Sequence, residues 1–165
     1  DRQSAEGVGP ASQLPGRLQH VVVASTDAPR MIAFYSDVLG FRKSDLVLEE
    51  GGDITACFMR CDPEHHSIAV FRAAENRLDH HCYETTSWND IRDWGDHFSQ
   101  RRDIVVWGAG RHGAGHNLFI FVRDPDGNNV ELSAEIDSET YNQSPGEWQH
   151  EERTLNLWGS AWLRS

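Results

Sequence analysis

The feature that most constrains this chain is a repeat of its own. Arg17-Leu18-Gln19-His20 opens the stretch RLQHVVVAST, and Arg77-Leu78-Asp79-His80 opens RLDHHCYETT, each with a Thr six residues after its His. The first stretch reads as a strand. TDAPRMIAFYSDVLG then reads as a helix: Thr26 or Asp27 can cap it, Pro29 suits its first turn and Gly40 stops it. Three strand candidates follow, FRKSDLVLEE, DITACFMRC and HHSIAVFR. The second copy runs the same way, through a helix at SWNDIRDWGDHFSQR to strands at DIVVWG, HNLFIFVRD and NNVELSAEI, with Asp126-Gly127 predicted as a tight turn. Two copies of one supersecondary unit, neither able to close a core alone, predict an α+β fold of paired βαβββ modules.

The boundaries follow from this pattern. Residues 1–16, rich in Gly, Pro, Ser and Ala, read as a flexible leader. Module 1 is placed at 17–72 and module 2 at 77–136. The tail, 137–165, is polar at first and ends in TLNLWGSAWLR, apolar enough to pack back on the domain.

Composition narrows the function. Fifteen Lys and Arg stand against 26 Asp and Glu, a net charge of −11. That balance argues against nucleic acid, which needs clustered cations. No apolar run approaches the roughly 20 residues that span a bilayer, and a single Lys, Lys43, gives no polybasic membrane patch. Cys57, Cys61 and Cys82 lack a second pair to complete a zinc site, and they read as small buried thiols in a reducing, cytoplasmic setting. Nine His in 165 residues stand out, two of them in the pairs His65-His66 and His80-His81.

The repeat puts His20 and His80 at one register, and Glu131 lies in the last strand of module 2. Side chains on a strand alternate between faces. If both modules turn the same face to a shared hollow, two imidazoles and a carboxylate converge. Such a set leaves neighbouring coordination positions open on Fe(II) or Mn(II). Each residue alone would be an ordinary strand residue; the matched placement is the signal.

The stretches RLQHVVVAS…AFYSDVLGFRKSD, HHSIAVF, RLDHHCYET, GRHGAGHNLFIFVRDPDGNNVEL and RTLNLWG resemble the vicinal oxygen chelate superfamily. Within it they are similar to the type I extradiol ring-cleavage dioxygenases. The resemblance implies a half-open barrel of two modules around one metal site, with His20, His80 and Glu131 as ligands of Fe(II), or of Mn(II). It implies a catechol and O2 as substrates and a ring-opened semialdehyde as product. His66 falls at the position of the family's catalytic His, His65 is expected on the opposite face, and His81 is expected to face away. His112 matches a His that contacts substrate oxygens. The pattern departs at Phe121, where the family usually has a Tyr; His116, Tyr83 or Tyr141 are the candidate replacements. Small one-domain members include L-DOPA 2,3-dioxygenases of antibiotic pathways, and Arg111, His112 or Arg153 could meet such a substrate's carboxylate.

Three rivals share the fold. A glyoxalase-type isomerase or lyase takes a carboxylate from each module, and HHSIAVF offers none. A thiol transferase uses two His and one Glu without needing HHSIAVF or GRH. A metal-free, drug-sequestering resistance protein would need none of these residues. Module surfaces and six Trp leave room for a homodimer without requiring one.

Overall fold

The computed structural model describes Leu14 and residues 16–163; most of the expected leader lies outside the described residues. The first module runs β1 (Arg17–Ser25), α1 (Ala28–Ala33), β2 (Arg42–Leu48), β3 (Ile54–Arg60) and β4 (Ile68–Arg72). The second runs β5 (Arg77–Glu84), α2 (Trp88–Arg101), β6 (Trp107–Arg111), β7 (Leu118–Arg123) and β8 (Asn129–Ala134). All join one sheet in the order β6-β7-β8-β5-β1-β4-β3-β2, extended by β9 (Gly146–Gln149) beside β2. The order is palindromic about the antiparallel β1–β5 pair: β4 lies parallel to β1 and β8 parallel to β5. Two βαβββ modules thus sit back to back, in a mixed sheet curled as a half-open barrel.

Period-2 alternation sets the layers. On β7, Phe119 and Phe121 point into the concave core that spans both modules, while Leu118, Ile120 and Val122 pack beneath α2. On β4, Ala69 and Phe71 point inward, and Ile68 and Val70 pack beneath α1. With both faces covered, these strands read as unbroken apolar runs. α1 starts where Asp27 accepts a hydrogen bond from the Arg30 N–H, and it continues as a π turn, Phe34–Val38, rather than as plain α-helix.

Some elements differ from expectation. β6 is WGAGR, not DIVVWG. Arg102 closes α2 in the left-handed region and the Asp103 N–H still bonds Phe98, so the chain reaches the sheet only at Trp107. Val105 and Val106 are instead half-buried props for the two cores. The β7–β8 connection is a five-residue loop, 124–128, because Asp124 accepts the N–H groups of Asp126 and Asn128. The tail contributes β9 and a short helix, α3 (Glu152–Leu155), which buries Thr154 and Leu155. Among the described residues, no helix is long and apolar enough to cross a membrane.

Candidate metal centre and its surroundings

β1 and β5 share one burial pattern over their first seven residues: two exposed, two buried, then alternation. That common register sends His20 and His80 inward. They are diagonal neighbours across the pair, His20 opposite Cys82 and His80 opposite Val22. β8 lies parallel to β5 and sets Glu131 beside Cys82. One ligand atom from each of His20, His80 and Glu131 falls within 4.8 Å of the others, all three residues being buried. His81 sits on the other face at intermediate exposure, its ring 5.6 Å from that of Tyr83.

The protonation logic of this cluster points to a cation. Asp79 accepts the Nδ1–H of His80 at 2.7 Å, and the Gln19 Oε1 lies 3.2 Å from the Nδ1 of His20. Each neutral imidazole then carries a bare Nε2. Those two atoms lie 3.1 and 3.2 Å from the same Glu131 Oε2, so lone pairs face lone pairs. A divalent ion bound among them resolves the conflict. Donors about 2.1 Å from an ion and at right angles stand about 3 Å apart, which suits these separations. Burial alone would push the Glu131 carboxyl up, but the His112, His20 and His80 rings set against it hold it well below the usual carboxylate range. Burial lowers His20, which favours the unprotonated form a metal ligand needs.

Other groups enclose the hollow. Phe58, Phe71, Trp107, Phe121 and Leu155 line it with His66 and His112. His112 stacks on Phe119 at 4.0 Å, donates Nδ1–H to the Leu155 carbonyl at 2.5 Å and sets Nε2 3.3 Å from Glu131 Oε1. His66 stands beside His20, ring centroids 4.3 Å apart. Burial, and then the neighbouring His20 and His65, push it well below the ordinary imidazole range. The cavity left inside is about 20 Å³, room for about one water. A ring-sized substrate therefore enters only if the walls give, and Thr154 and Leu155 of the tail are among them.

Several expected neighbours lie elsewhere. His116 is exposed: its backbone is left-handed (φ 52°), and Nδ1 pairs with Asp137 at 2.7 Å, outside the hollow. Tyr83 packs on the outer core with Trp94, and Tyr141 lies exposed beneath Arg42, so neither restores a hydroxyl near Phe121. His65 does not face away either. It is buried, bonded to His66 and to Asp45, because the pair precedes β4 in a loop where strand alternation has no hold. Asp79, Asn117 (Nδ2 to Glu131 Oε1, 3.2 Å) and Asp45 had no motif to mark them.

Comparison with known proteins agrees with this architecture. The model of the Glyoxalase/Bleomycin resistance protein/Dioxygenase superfamily matches residues 17–132, and the chain belongs to that superfamily. It is 31% identical over 125 residues to metapyrocatechase 2 of Cupriavidus necator, covering 75% of this chain and 38% of that protein. It is 30% identical over 124 residues to the manganese-dependent 2,3-dihydroxybiphenyl 1,2-dioxygenase of Geobacillus genomosp. 3, covering 72% and 39%. Among solved structures, the Mn(II)-bound glyoxalase from Novosphingobium aromaticivorans superposes with a TM-score of 0.81 at 27% identity, over 93% of this chain and 50% of that one. The chain spans less than half the length of the first curated relatives it matches.

Proposed function

We propose that this chain is an extradiol dioxygenase that opens the ring of an uncharged catechol with O2. His20, His80 and Glu131 hold Fe(II), with Mn(II) as the alternative, and the product is a ring-opened semialdehyde. The observation that carries this reading is the convergence of two bare imidazole nitrogens on one buried carboxylate oxygen, inside an aromatic hollow flanked by two further His. Held by His20, His80 and Glu131, such an ion would supply Lewis acidity toward the catechol oxygens and redox access to O2. Phe58, Phe71, Trp107 and Phe121 exclude water and hold the ring in plane. His66 Nε2 takes the proton of a catechol hydroxyl and returns it as the ring opens, which suits an imidazole whose burial keeps it neutral. His112, pinned by Leu155 and Phe119, presents the opposite wall.

Two features choose among related readings. In the register of the two modules, Ala69 beside Val22 stands where Glu131 stands beside Cys82. The first module therefore offers no carboxylate, as a glyoxalase-type site would, so an ion held here would have fewer protein ligands. The lining of the hollow also includes no Lys or Arg among the described residues. Arg111 is spent on the His116 carbonyl and Glu135, and Arg153 is exposed. That favours a neutral catechol over an L-DOPA-like acid.

The test uses protein loaded anaerobically with Fe(II). Adding 3-phenylcatechol should perturb its spectrum, and admitting O2 should consume one equivalent and give a yellow product, with L-DOPA turned over more slowly. No spectral change and no O2 uptake with any catechol would sink the reading. Metal-free protein that binds aromatic drugs and takes up no Fe(II) would favour the sequestering alternative.

A further inference from the structure

Behind His66 runs a chain of buried polar groups that the reaction as described does not use. The Asp45 Oδ2 accepts the Trp148 Nε1–H at 2.8 Å and the Nε2–H of His65 at 3.0 Å. The Nδ1 of His65 lies 2.9 Å from the Nδ1 of His66. Four separate segments build this line: β2 brings Asp45, the loop before β4 brings both His, β9 brings Trp148, and the β6–β7 loop covers His65. The arrangement is tight. A Cβ on Gly115, itself left-handed at φ 82°, would come 2.9 Å from the His65 Nδ1, and one on Gly146 would collide with the Asp45 carboxylate. The His65 backbone is tied as well, donating N–H to the Asp137 carbonyl at 2.8 Å.

The hydrogen-bond arithmetic has one neutral solution. A carboxylate only accepts, so His65 carries its proton on Nε2 and its Nδ1 is bare. Two Nδ1 atoms at 2.9 Å share a single proton, so His66 must be the donor. His66 is then the Nδ1–H tautomer, and its remaining nitrogen, Nε2, is a bare lone pair. That is the form a proton acceptor needs, whereas the opposite tautomer presents an N–H and can accept nothing. We propose that Asp45 and His65 are positioning residues that hold His66 in the Nδ1–H tautomer, making it a base before substrate arrives. Its kinetic arm rests on the role given to His66 above; its spectroscopic arm does not.

The spectroscopic arm uses the full chain with 15N-labelled His, without added metal and with Zn(II) as a diamagnetic ion. Long-range 1H–15N correlations should show His66 as Nδ1–H in the wild type. An Nε2–H pattern there overturns the inference, whatever any variant does. In His65→Leu the acceptor is gone, and His66 should shift toward Nε2–H; an unchanged Nδ1–H pattern counts against the relay. His65→Gln can offer a carbonyl oxygen to His66 and an amide N–H to Asp45, so it should keep the wild-type pattern.

The kinetic arm uses Fe(II) protein and 3-phenylcatechol. His65→Leu should lower kcat about 10²-fold, within the usual range for a lost acid–base function. KM and Fe(II) content should stay within about twofold of wild type by the same reasoning, because no group that touches the ion or the ring has been changed. His65→Gln should recover to within about threefold of wild type, since geometry rather than charge is restored. Equal losses in Leu and Gln variants, or loss of iron in either, would overturn the positioning role. If wild-type protein cleaves no catechol yet shows the expected His66 pattern, the proposed activity falls and the tautomer assignment stands.

Discussion

Replacing Asp79 by Leu separates what a carboxylate does for a ligand from what it does for the fold. Asp79 is 7% exposed and its Oδ1 lies 2.7 Å from the His80 Nδ1, a short charge-assisted bond that fixes which ring nitrogen faces Glu131. Its contact to Arg77, at 3.8 Å, involves a half-exposed guanidinium and adds little. Losing such a partner usually costs about 10- to 100-fold in metal affinity, equivalent to about 1.4–2.7 kcal/mol. Taking the acceptor from a buried Nδ1–H costs about 1–3 kcal/mol of stability on its own account. Competition for Mn(II) against a chromophoric chelator reads the first quantity; urea unfolding in excess chelator reads the second. Asp79→Asn keeps an acceptor without the charge and should fall between Leu and wild type in both. If Asp79→Leu binds Mn(II) as tightly as wild type while His80→Ala does not, the tautomer argument for the centre is wrong.

His20→Ala, His80→Ala and Glu131→Ala should each abolish tight Fe(II) binding, whereas His81→Ala, on the outer face, should retain it; the reverse pattern for the two neighbouring His would put the register in error. His66→Phe should keep metal and anaerobic catechol binding but lower turnover about 10²–10⁴-fold, and iron loss in that variant would make His66 a ligand instead. Phe121→Tyr adds a hydroxyl to a ring whose centroid lies 5.0 Å from those of both His80 and Trp107, in a hollow where His112 is already bonded. At about 1–3 kcal/mol for a buried group without a partner, substrate affinity should drop about 5- to 150-fold; equal or better affinity refutes the premise that the pocket is already satisfied. Burial pushes the Cys57 thiol up to about 12 and Cys82 well above its ordinary value, so both stay protonated at pH 8. A thiol reagent should then count one thiol per native chain, the exposed Cys61, and three in denaturant.

What could be read in advance was whatever repeats. The paired Arg-Leu-x-His openings carry both the module order and the direction of His20 and His80, because one strand register serves both copies. Glu131 has no counterpart in the repeat, since Ala69 holds the equivalent place, and it was legible through the resemblance carried by RDPDGNNVEL. The residues that escaped depend on backbone that breaks strand rules. His65 turns inward because it sits in a loop, and His116 turns outward because its backbone is left-handed. Asp45 and Trp148 meet only because β9 docks parallel on β2, placing Gly146 opposite Asp45. GEWQ has neither the alternation nor the β-branched content that would announce a strand.

The two modules are alike in scaffold and unlike in use, and the asymmetry explains the placement of charge. At equivalent positions the first module carries Ala69 and the second Glu131, so a twofold frame holds one carboxylate rather than two. A lone buried carboxylate is tolerable only while something neutralises it. Without metal, that task falls to the Asn117 amide and to three imidazoles at 3.1–3.3 Å, each of which must give up its Asp79-, Gln19- or Leu155-directed tautomer, or gain a proton, to donate. An ion bound there would return His20 and His80 to the protonation their outer partners dictate. On the proposed reading metal and fold would be coupled: at 100 times the dissociation constant, ligation would add about 2.7 kcal/mol to stability. The Asp45–His65–His66 line lies on the first module's side and is satisfied without any ion. On the proposed roles, the base would be pre-set by the fold, while the ligands would be set by what they bind.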